Sequence, residues 1–434
     1  MSSSSPRSAL PGPALPDYAE AAALVAAHAA RLRSVPPPVE TVELAQAVGR
    51  VLAHPLTADR DQPPFARSTR DGFACRAAEA SRHKSLAIAG ATRAGLAPAG
   101  PLAQGAVWEI MTGAPIPAGA DAVIMLEHVE AAGGSVRLLP PRTATPGDNI
   151  VARGAQARAG DEMLSSGTAI HFAQIALAAS CGYATLPVYA RPRVAILTTG
   201  DELVPVASSP AAGQIHNSNG PMLAAMVAAA GGEPWSLPTA ADTAEALDAT
   251  LAQAAQADML LITGGVSAGK FDLVEPALAR IGARFHFTGV RIQPGKPLVF
   301  GELPGSSTTS VQNKNRTKYY FGLPGNPVSS AVTFLLFAAP VLAALAGSRE
   351  TAPRFALAQM ASSSIDRGGK PGLTRFMPAL CTFSSIAGQL PQVAFVPWQG
   401  SGDLTALARS NCFLVVPEDA HSLKPGSIVR ILLP

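Results

Sequence analysis

A buried-strand pattern followed directly by a glycine-rich loop is the feature that most constrains how this chain folds. Residues 259–262 form a short apolar run, as expected for a strand buried on both faces of a parallel sheet. Gly264, Gly265 and Gly269 follow, and without Cβ atoms their backbone N–H groups can close on an anion. Asp272 then offers a carboxylate suited to Mg²⁺. Taken alone, this run fits an ordinary glycine-rich turn as well as a phosphate site.

The region from residue 193 to about residue 347 alternates between strand and helix patterns. This succession predicts a doubly wound α/β unit with a parallel sheet, which binds its ligand at the carboxyl ends of the strands. The apolar runs predict strands at residues 194–197, 235–237 and 259–262, and the periodic segments predict helices at residues 222–230 and 243–255 and from the glycine loop to residue 278.

The regions before and after the α/β unit have different sequence patterns. Helical periodicity at residues 17–33 and 169–179, with a second helix expected at 39–53, surrounds short apolar runs that predict a small β domain. Short runs beyond residue 351 predict a small β barrel. The expected organisation is a disordered tail (1–16), an elongated helical domain (17–57 plus 155–190), an inserted β domain (58–154), the α/β domain (191–350) and the barrel domain (351–434).

Composition and charge exclude several classes of protein. A net charge of +3 over 434 residues, without clustered basic residues, gives no case for nucleic acid. Four cysteines without CxxC spacing argue against a zinc site or a disulfide framework and favour a reducing, cytoplasmic location. The uncharged stretch 328–347 has the length of a membrane span, but Pro340 and the early Ser and Thr residues favour a buried core helix, so no membrane partner is expected.

Four loops of the α/β region carry residues suited to anions and cations. The first presents Asp201 and Glu202 after a strand, and the second is the glycine loop. The third places Lys296 after a rigid turn, and the fourth, residues 322–329, fixes a helix start with two prolines. Each loop alone is more often structural, but four at one sheet edge predict a nucleotide or phosphate site.

The chain resembles the MoeA family, the molybdopterin molybdenumtransferases, which also form the C-terminal part of gephyrin. The matching blocks run in order over nearly the whole chain, and together they are far more specific than any single glycine pattern. They are residues 61–74, 111–123, 147–150, 199–202, 264–269, 294–297, 322–329 and 399–402.

The resemblance implies a four-domain homodimer with composite active sites and a third domain that resembles the MogA adenylyltransferases. It implies insertion of molybdate into adenylylated molybdopterin, with Mg²⁺-dependent release of AMP. It also allows other cofactor-synthesis enzymes and acceptor molybdoenzymes as partners. Two alternatives stay open at this point: a gephyrin-like scaffold without turnover, and a molybdopterin adenylyltransferase.

The resemblance assigns catalytic positions to Asp71 and Thr112 in the β domain, and to Glu202, Asp242 and Asp272 in the α/β domain. It makes Asp272 the first candidate for Mg²⁺ and Glu202 the second. Asp71 would reach the site of the dimer mate. The simpler interpretations are that Asp71 caps a turn and that Asp242 caps a helix.

The resemblance also implies a set of substrate-binding positions around the pterin phosphate and molybdate. Ser401 stands between glycines, so it also fits a plain turn. The set comprises Gly200, Asp201, Gly264, Gly265, Ser267, Lys296, Pro324, Gly325, Asn326, Pro327, Ser329 and Ser401.

Several positions depart from the family pattern. Gln293 stands where a lysine is usual, Gln156 where a carboxylate is usual, and Leu373 and Pro378 where arginines are frequent. Arg375 alone remains of that arginine block. Fewer positive groups are therefore expected around molybdate, unless Arg375 or the nearby Arg291 compensates.

Overall fold

The structure of the chain is a computed structural model that describes residues 15–265, 273–304, 317–361, 365–366, 372–383, 388–420 and 422–434. Its first helix, α1 (Tyr18–Leu32), begins with a capping box in which Asp17 and Glu20 each accept a hydrogen bond from the other's backbone N–H at 2.9 Å. This exchange satisfies two backbone donors that a helix start leaves free. The buried stripe of α1 packs into the core of the α/β unit.

The elements follow in four groups along the chain. Up to residue 57 they are α1, β1 (Val39–Glu43), a 3₁₀ turn (Leu44–Gln46) and β2 (Leu56–Thr57). The next group is β3 (Arg67–Ser68), β4 (Gly72–Cys75), α2 (Ala77–Ala80), β5 (Leu86–Thr92), β6 (Ala106–Ile110), β7 (Ala122–Met125), a 3₁₀ turn (Leu126–His128), β8 (Val129–Ala132), β9 (Ser135–Leu138), β10 (Ile150–Val151), β11 (Glu162–Leu164), α3 (Phe172–Ser180) and β12 (Thr185–Tyr189).

The α/β group contains β13 (Arg193–Thr198), β14 (Leu203–Val204), β15 (Ile215–His216), α4 (Asn219–Ala229), β16 (Glu233–Ser236), α5 (Ala244–Ala254), β17 (Met259–Thr263), α6 (Val274–Arg280), β18 (Arg284–Phe287), β19 (Ile292–Gln293), β20 (Val299–Leu303), β21 (Lys318–Leu323), α7 (Pro327–Thr333), a π-helical turn (Phe334–Ala338) and α8 (Ala339–Leu345). The last group is β22 (Phe355–Met360), β23 (Ile365–Asp366), β24 (Thr374–Thr382), β25 (Gln392–Phe395), α9 (Leu404–Arg409), β26 (Cys412–Val416), β27 (Ser422–Leu423) and β28 (Ile428–Leu432).

The second helix predicted at residues 39–53 is wrong. Its first part is strand β1, which pairs antiparallel with β12 over five residues. Val39, Thr41 and Val42 are β-branched, and such side chains fit a pleated surface better than a helix. This unit is therefore a mixture of short sheets and helix α3 around a small core that includes Leu52, Ile170 and other buried side chains.

The inserted β region forms a six-stranded sheet in the order β7-β4-β6-β5-β9-β8, which confirms that this region is built of strands. Apolar clusters lie on its two faces, one containing Phe73 and Val107 and the other containing Trp108 and Val123. Strand β4 lies between β6 and β7 and is buried at all four residues. The turn before β4 and the turn after β6 are therefore held beside each other.

The α/β region contains a six-stranded sheet in the order β16-β13-β17-β21-β20-β18. The first four strands are parallel, as predicted. At one edge β20 pairs antiparallel with β21, and β18 pairs antiparallel with β20, so β20 is the reversed strand of this sheet. Alternate residues of β17 enter opposite cores: Met259 and Leu261 face α1, α4 and α8, and Leu260 and Ile262 face α5 and α6. Helices thus cover both faces, as a parallel sheet requires.

Residues Pro327–Leu345 form one apolar helical segment, in which α7 and α8 are joined by the π-helical turn. By length and hydropathy this segment could cross a membrane, but 83% of its most apolar window is buried inside the protein. Val328, Phe337 and Leu342 belong to the core shared with α1 and the sheet. The segment is the core helix that the sequence predicts, although Pro340 does not interrupt it.

The C-terminal region closes into a five-stranded barrel, as predicted. Its strands pair in the cycle β24-β25-β22-β28-β26, and β26 returns to β24. Strand β19, which belongs to the α/β group in sequence, adds to β24 with Gln293 opposite Arg375. The barrel is therefore attached directly to the loop that carries Lys296.

We expect the substitution Gly72→Ala to destabilise the inserted β sheet by about 1–3 kcal/mol, as for an overpacked core. A Cβ atom at Gly72 would overlap the backbone carbonyl oxygen of Ile124, and a backbone atom cannot move aside cheaply. Urea unfolding followed by circular dichroism measures the change. Gly100→Ala is the matched control, because a Cβ atom there meets nothing within 4 Å. Equal urea midpoints for the two variants would contradict this packing.

Candidate functional site

A cleft of about 1340 Å³ opens at the carboxyl ends of β13, β17 and β21. The four loops singled out in the sequence all line it, together with a loop of the barrel. The predicted site residues that line the cleft are Gly200, Glu202, Asp242, Gly264, Gly265, Lys296, Pro324, Gly325, Asn326, Pro327, Ser329 and Ser401. Asp201 lies directly beside the cleft, and Ser267 and Asp272 lie outside the described residues.

The start of the glycine loop packs against the loop that follows β13. Gly264 has φ +94°, and a Cβ atom there would overlap the backbone carbonyl of Thr199. Only glycine therefore allows these two loops to approach so closely. The hydroxyl of Thr199 is buried, lines the cleft and has no hydrogen-bond partner. A buried hydroxyl without a partner is costly, and a bound ligand would relieve that cost.

Asn219 ties three cleft loops together, and the sequence interpretation missed it. Its Nδ2 donates to the carbonyl oxygen of Gly325 at 2.6 Å and to Oγ1 of Thr263 at 2.9 Å. Its Oδ1 is buried without a partner. Asn219 is the first residue of α4, so the sequence suggested a helix start and not a bridge between loops.

Three carboxylates stand close together on one side of the cleft. The backbone N–H of Asp242 donates to Asp201 Oδ1 at 3.0 Å, and a Cβ atom on Gly200 would lie 2.6 Å from Glu202 Oε2. Partial burial, followed by the charges of Asp201 and Glu202, raises the pKa of Asp242. A bound cation would relieve the repulsion among these carboxylates. Mg²⁺ suits this position because it prefers oxygen ligands.

The barrel supplies the opposite side of the cleft. Ser401 accepts a hydrogen bond from Asn326 Nδ2 at Oγ (2.8 Å) and from Val328 N at its carbonyl oxygen (3.0 Å). These bonds fix the start of α7, whose residue Ser329 faces the cleft although it is only 4% exposed. A helix N-terminus with a nearby hydroxyl attracts anions.

Positive charge in the described part of the cleft comes from Lys296, with an exposed histidine, His216, nearby. Among the described carboxylates, none pairs with the Lys296 ammonium within 4.0 Å. Gln293 and Leu373 line the cleft without adding charge. The suggested compensation from arginines is not supported: Arg375 is buried and donates to the carbonyl oxygen of Ala420.

The second suggested compensating residue, Arg291, likewise turns away from the cleft. Its guanidinium lies 3.4 Å from Asp17 Oδ2, at the start of α1. Its backbone N–H donates to the carbonyl oxygen of Pro16 at 2.8 Å. Arg291 therefore anchors the beginning of the helix and does not line the cleft.

Asp71 and Thr112 form a pair in the β sheet and do not line this cleft. Asp71 comes directly before β4, and Thr112 comes shortly after the end of β6. The two strands are antiparallel neighbours with Gly72 opposite Ile110, so the start of β4 lies beside the end of β6. Both the N–H and the hydroxyl of Thr112 donate to Asp71 Oδ1, at 2.6 and 2.9 Å. These bonds, the backbone one first, lower the pKa of Asp71, so the carboxylate is ionised at neutral pH.

Comparison with known proteins gives consistent matches along the chain. Three family descriptions match in order: "MoeA N-terminal region (domain I and II)" at residues 17–182, "Probable molybdopterin binding domain" at 195–344 and "MoeA C-terminal region (domain IV)" at 362–433. A Bacillus subtilis protein named molybdopterin molybdenumtransferase is 35% identical over 403 residues, which cover 91% of this chain and 89% of that protein.

Two further proteins agree with these matches. A molybdopterin molybdenumtransferase from a Nostoc species is 33% identical over 404 residues, which cover 91% of this chain and 88% of that protein. The crystal structure of the molybdopterin biosynthesis moeA protein from Pyrococcus horikoshii OT3 superimposes with a TM-score of 0.77 at 28% identity, covering 97% of this chain and 100% of that one. Sequence and fold comparisons thus point to the same family.

We expect Thr112→Val to raise the pKa of Asp71 toward the ordinary aspartate value without restoring it fully. The substitution removes the hydroxyl donor and keeps the backbone donor, which is the larger cause of the lowered pKa. A carboxyl ¹³C NMR titration measures the change. Thr145→Val is the matched control, because Thr145 holds Asp148 through the same two donors. An unchanged Asp71 titration would contradict the hydrogen bond from the hydroxyl.

Proposed function

Because this chain belongs to the MoeA family of molybdopterin molybdenumtransferases, we propose that it inserts molybdenum from molybdate into adenylylated molybdopterin and releases AMP. The chain is a transferase of molybdenum cofactor biosynthesis. The observation that carries the detailed proposal is the single cleft onto which four anion-suited loops converge. The scaffold and adenylyltransferase alternatives gain no support from the relatives, which carry the transferase name over nearly their whole length.

The phosphate of the pterin would bind where the glycine loop meets the start of α7. Gly264 and Gly265 bring backbone close to this point, and Ser329 adds a hydroxyl. Pro327 occupies the first position of α7 and sets its backbone for the helix start. These groups hold the substrate through its anionic end, while Asn219 keeps the loops at a fixed distance from each other.

Molybdate would bind beside Lys296, whose ammonium has no described carboxylate partner and is free to meet an oxyanion. Ser401 and Asn326, already hydrogen-bonded to each other, border the same space. Fixed donors aimed at an oxyanion stabilise charge as it moves during transfer. With Gln293 and Leu373 in place of cations, we propose that Lys296 contributes most of the charge that attracts molybdate.

The residues of the cleft fit a Mg²⁺ ion. Glu202, Asp242 and Asp201 would hold it, together with the buried hydroxyl of Thr199, and Asp272 remains a candidate from the sequence. When bound, the ion would neutralise negative charge on the phosphoanhydride of the substrate. The raised pKa of Asp242 supports this assignment, since crowded carboxylates otherwise repel one another.

We further propose a homodimer in which each cleft is completed by Asp71 and Thr112 of the partner subunit. In its own chain the pair does not line the described part of the cleft, and among the described residues no charged partner holds Asp71 in place. An ionised carboxylate held in one orientation is suited to orient water or a substrate donor. Other cofactor-synthesis enzymes and acceptor molybdoenzymes are proposed as partners on the family resemblance alone.

We propose the cytoplasm as the location of this chemistry. All four cysteines are free and buried. Burial raises the pKa of Cys75 and Cys412 to about 12, so both thiols stay protonated and unreactive at neutral pH. Unpaired cysteines of this kind are usual in a reducing compartment.

The direct test supplies adenylylated molybdopterin, Mg²⁺ and molybdate and follows AMP release. We expect release without added ATP, and Lys296→Met to raise the molybdate concentration for half-maximal release about tenfold, near the lower end of the range for one charge-assisted contact. Lys424→Met is the matched control, because that lysine is exposed and does not line the cleft. A requirement for ATP would indicate adenylylation, and binding without turnover would indicate a scaffold.

Mixing variants tests the composite site. The assay uses molybdate well below half-saturation, where Lys296→Met chains keep only about a tenth of the activity. Asp71→Asn chains retain the cleft and Lys296→Met chains retain Asp71, so a 1:1 mixture should recover about one quarter of wild-type activity through heterodimers with one intact site. As a second arm, the Asp71→Asn/Lys296→Met double variant mixed 1:1 with wild type should leave about one quarter of the activity of an all-wild-type sample. If each chain built its own site, the first mixture would stay at about one twentieth and the second would retain about half.

A further inference from the structure

A cluster of two histidines and a glutamate lies away from the cleft, where α1 covers the antiparallel edge of the central sheet. His28 is on the buried stripe of α1, His286 is on β18, and Glu302 is on β20. One ligand atom from each lies within 4.8 Å of the other two. Neither the proposed reaction nor any matched motif uses these residues.

The spacing of the three side chains suits a small metal ion. His28 Nδ1 lies 3.1 Å from Glu302 Oε1, and His286 Nε2 lies 3.2 Å from the same oxygen. Tetrahedral Zn²⁺ with bonds of about 2.0–2.1 Å has ligand atoms about 3.3 Å apart, so both distances match that geometry. The cysteine spacing argued against a zinc site, but a site of two histidines and a glutamate from distant segments leaves no short sequence motif.

A β-bulge lies at the cluster. The pairing of β18 with β20 shifts register between Phe285 and Phe287, so His286 is the extra residue. Phe285 packs into the core on one face of the sheet, and ordinary alternation carries His286 to the other face. The bulge then keeps Phe287 on the same face as His286, and both rings contact Phe300.

The nitrogen of His286 that faces the cluster is unsatisfied. Its Nε2 is buried and makes no hydrogen bond, although it lies 3.2 Å from the Glu302 carboxylate. The side chain is only 7% exposed, so water does not readily replace the missing partner. A metal ion would accept this lone pair and remove the cost of leaving it unused.

Charge balance points the same way. Glu302 is 21% exposed, and its described ion-pair partners are the two imidazoles. The described surroundings thus combine two imidazoles and one carboxylate without a guanidinium or ammonium within 4.0 Å of that carboxylate. A divalent cation would balance the carboxylate.

We infer that His28, His286 and Glu302 bind a divalent transition-metal ion of the Zn²⁺ type, which clamps α1 onto the edge of the central sheet. The exposed part of Glu302 leaves room for water as a fourth ligand. Tyr319 on β21 lies opposite Glu302 on β20. The hydroxyl oxygen of Tyr319 is 3.2 Å from His28 Nδ1, so this side chain borders the site. This site is separate from the Mg²⁺ position proposed for the cleft, because imidazoles suit Zn²⁺ whereas Mg²⁺ prefers oxygen.

The test titrates the full-length, metal-stripped chain with Co²⁺ in excess Mg²⁺, so that sites preferring hard cations are already filled. We expect one Co²⁺ per chain with the visible absorption of tetrahedral coordination, and displacement by Zn²⁺. Zn²⁺ should also raise the melting temperature of the wild type. Absence of the tetrahedral spectrum in the wild type would overturn the inference without the need for any variant.

Variants locate the bound ion. Glu302→Gln keeps the shape of the side chain and should weaken Zn²⁺ binding more than about tenfold, as should His286→Gln, since changes around a metal site alone cost about 10–100-fold. Both should lose the rise in melting temperature. His54→Gln is the control, because His54 is exposed and outside the cluster. Equal Zn²⁺ affinity in Glu302→Gln and wild type would overturn the assignment.

Discussion

The parallel pairing of β13, β17 and β21 is the constraint on which the rest of the molecule depends. Their registers bring Thr198 opposite Thr263, and Thr263 opposite Leu323, so the three strands end level with one another. The strands are buried on both faces, which leaves only their carboxyl ends open to a ligand. The turns at these ends supply Thr199, Glu202 and the glycine loop, and the barrel and the loop after β19 close on them with Ser401 and Lys296.

Much of this arrangement could be predicted from the sequence because its signals are local. Residues 259–262 are apolar throughout, and the glycines that follow have one dominant explanation, a tight turn with close backbone approach. Gly264 bears this out, since a side chain there would overlap Thr199. The order of the family's motifs along the sequence points to the same loops that line the cleft.

Other features depend on contacts between distant segments and could not be predicted in this way. Residues 39–43 became a strand because β12, almost 150 positions later, offers a pairing partner. The bridging role of Asn219 requires Gly325 to be nearby, and the bulge at His286 is defined only against β20. Arg375 was a candidate for the cleft, but the barrel holds its guanidinium at Ala420.

The cleft combines crowded carboxylates on one side with little positive charge on the other. Asp201 and Glu202 raise the pKa of Asp242 by repulsion, whereas Lys296 is the lysine of the described cleft lining and Gln293 and Leu373 contribute no charge. Such a site is poised to take up a cation together with an anionic substrate, and each would stabilise the binding of the other. The composite arrangement would add the ionised Asp71 only when two chains meet.

The most direct test of the central claim is hydrogen–deuterium exchange of the full-length chain with and without adenylylated molybdopterin and molybdate. We expect slower exchange in the loops after β13, β17 and β21, in residues 293–297 and 400–402, and in the turn that carries Asp71 and Thr112, with little change on the outer strands of the barrel. Protection that spares the loops at the strand ends and falls elsewhere would contradict it.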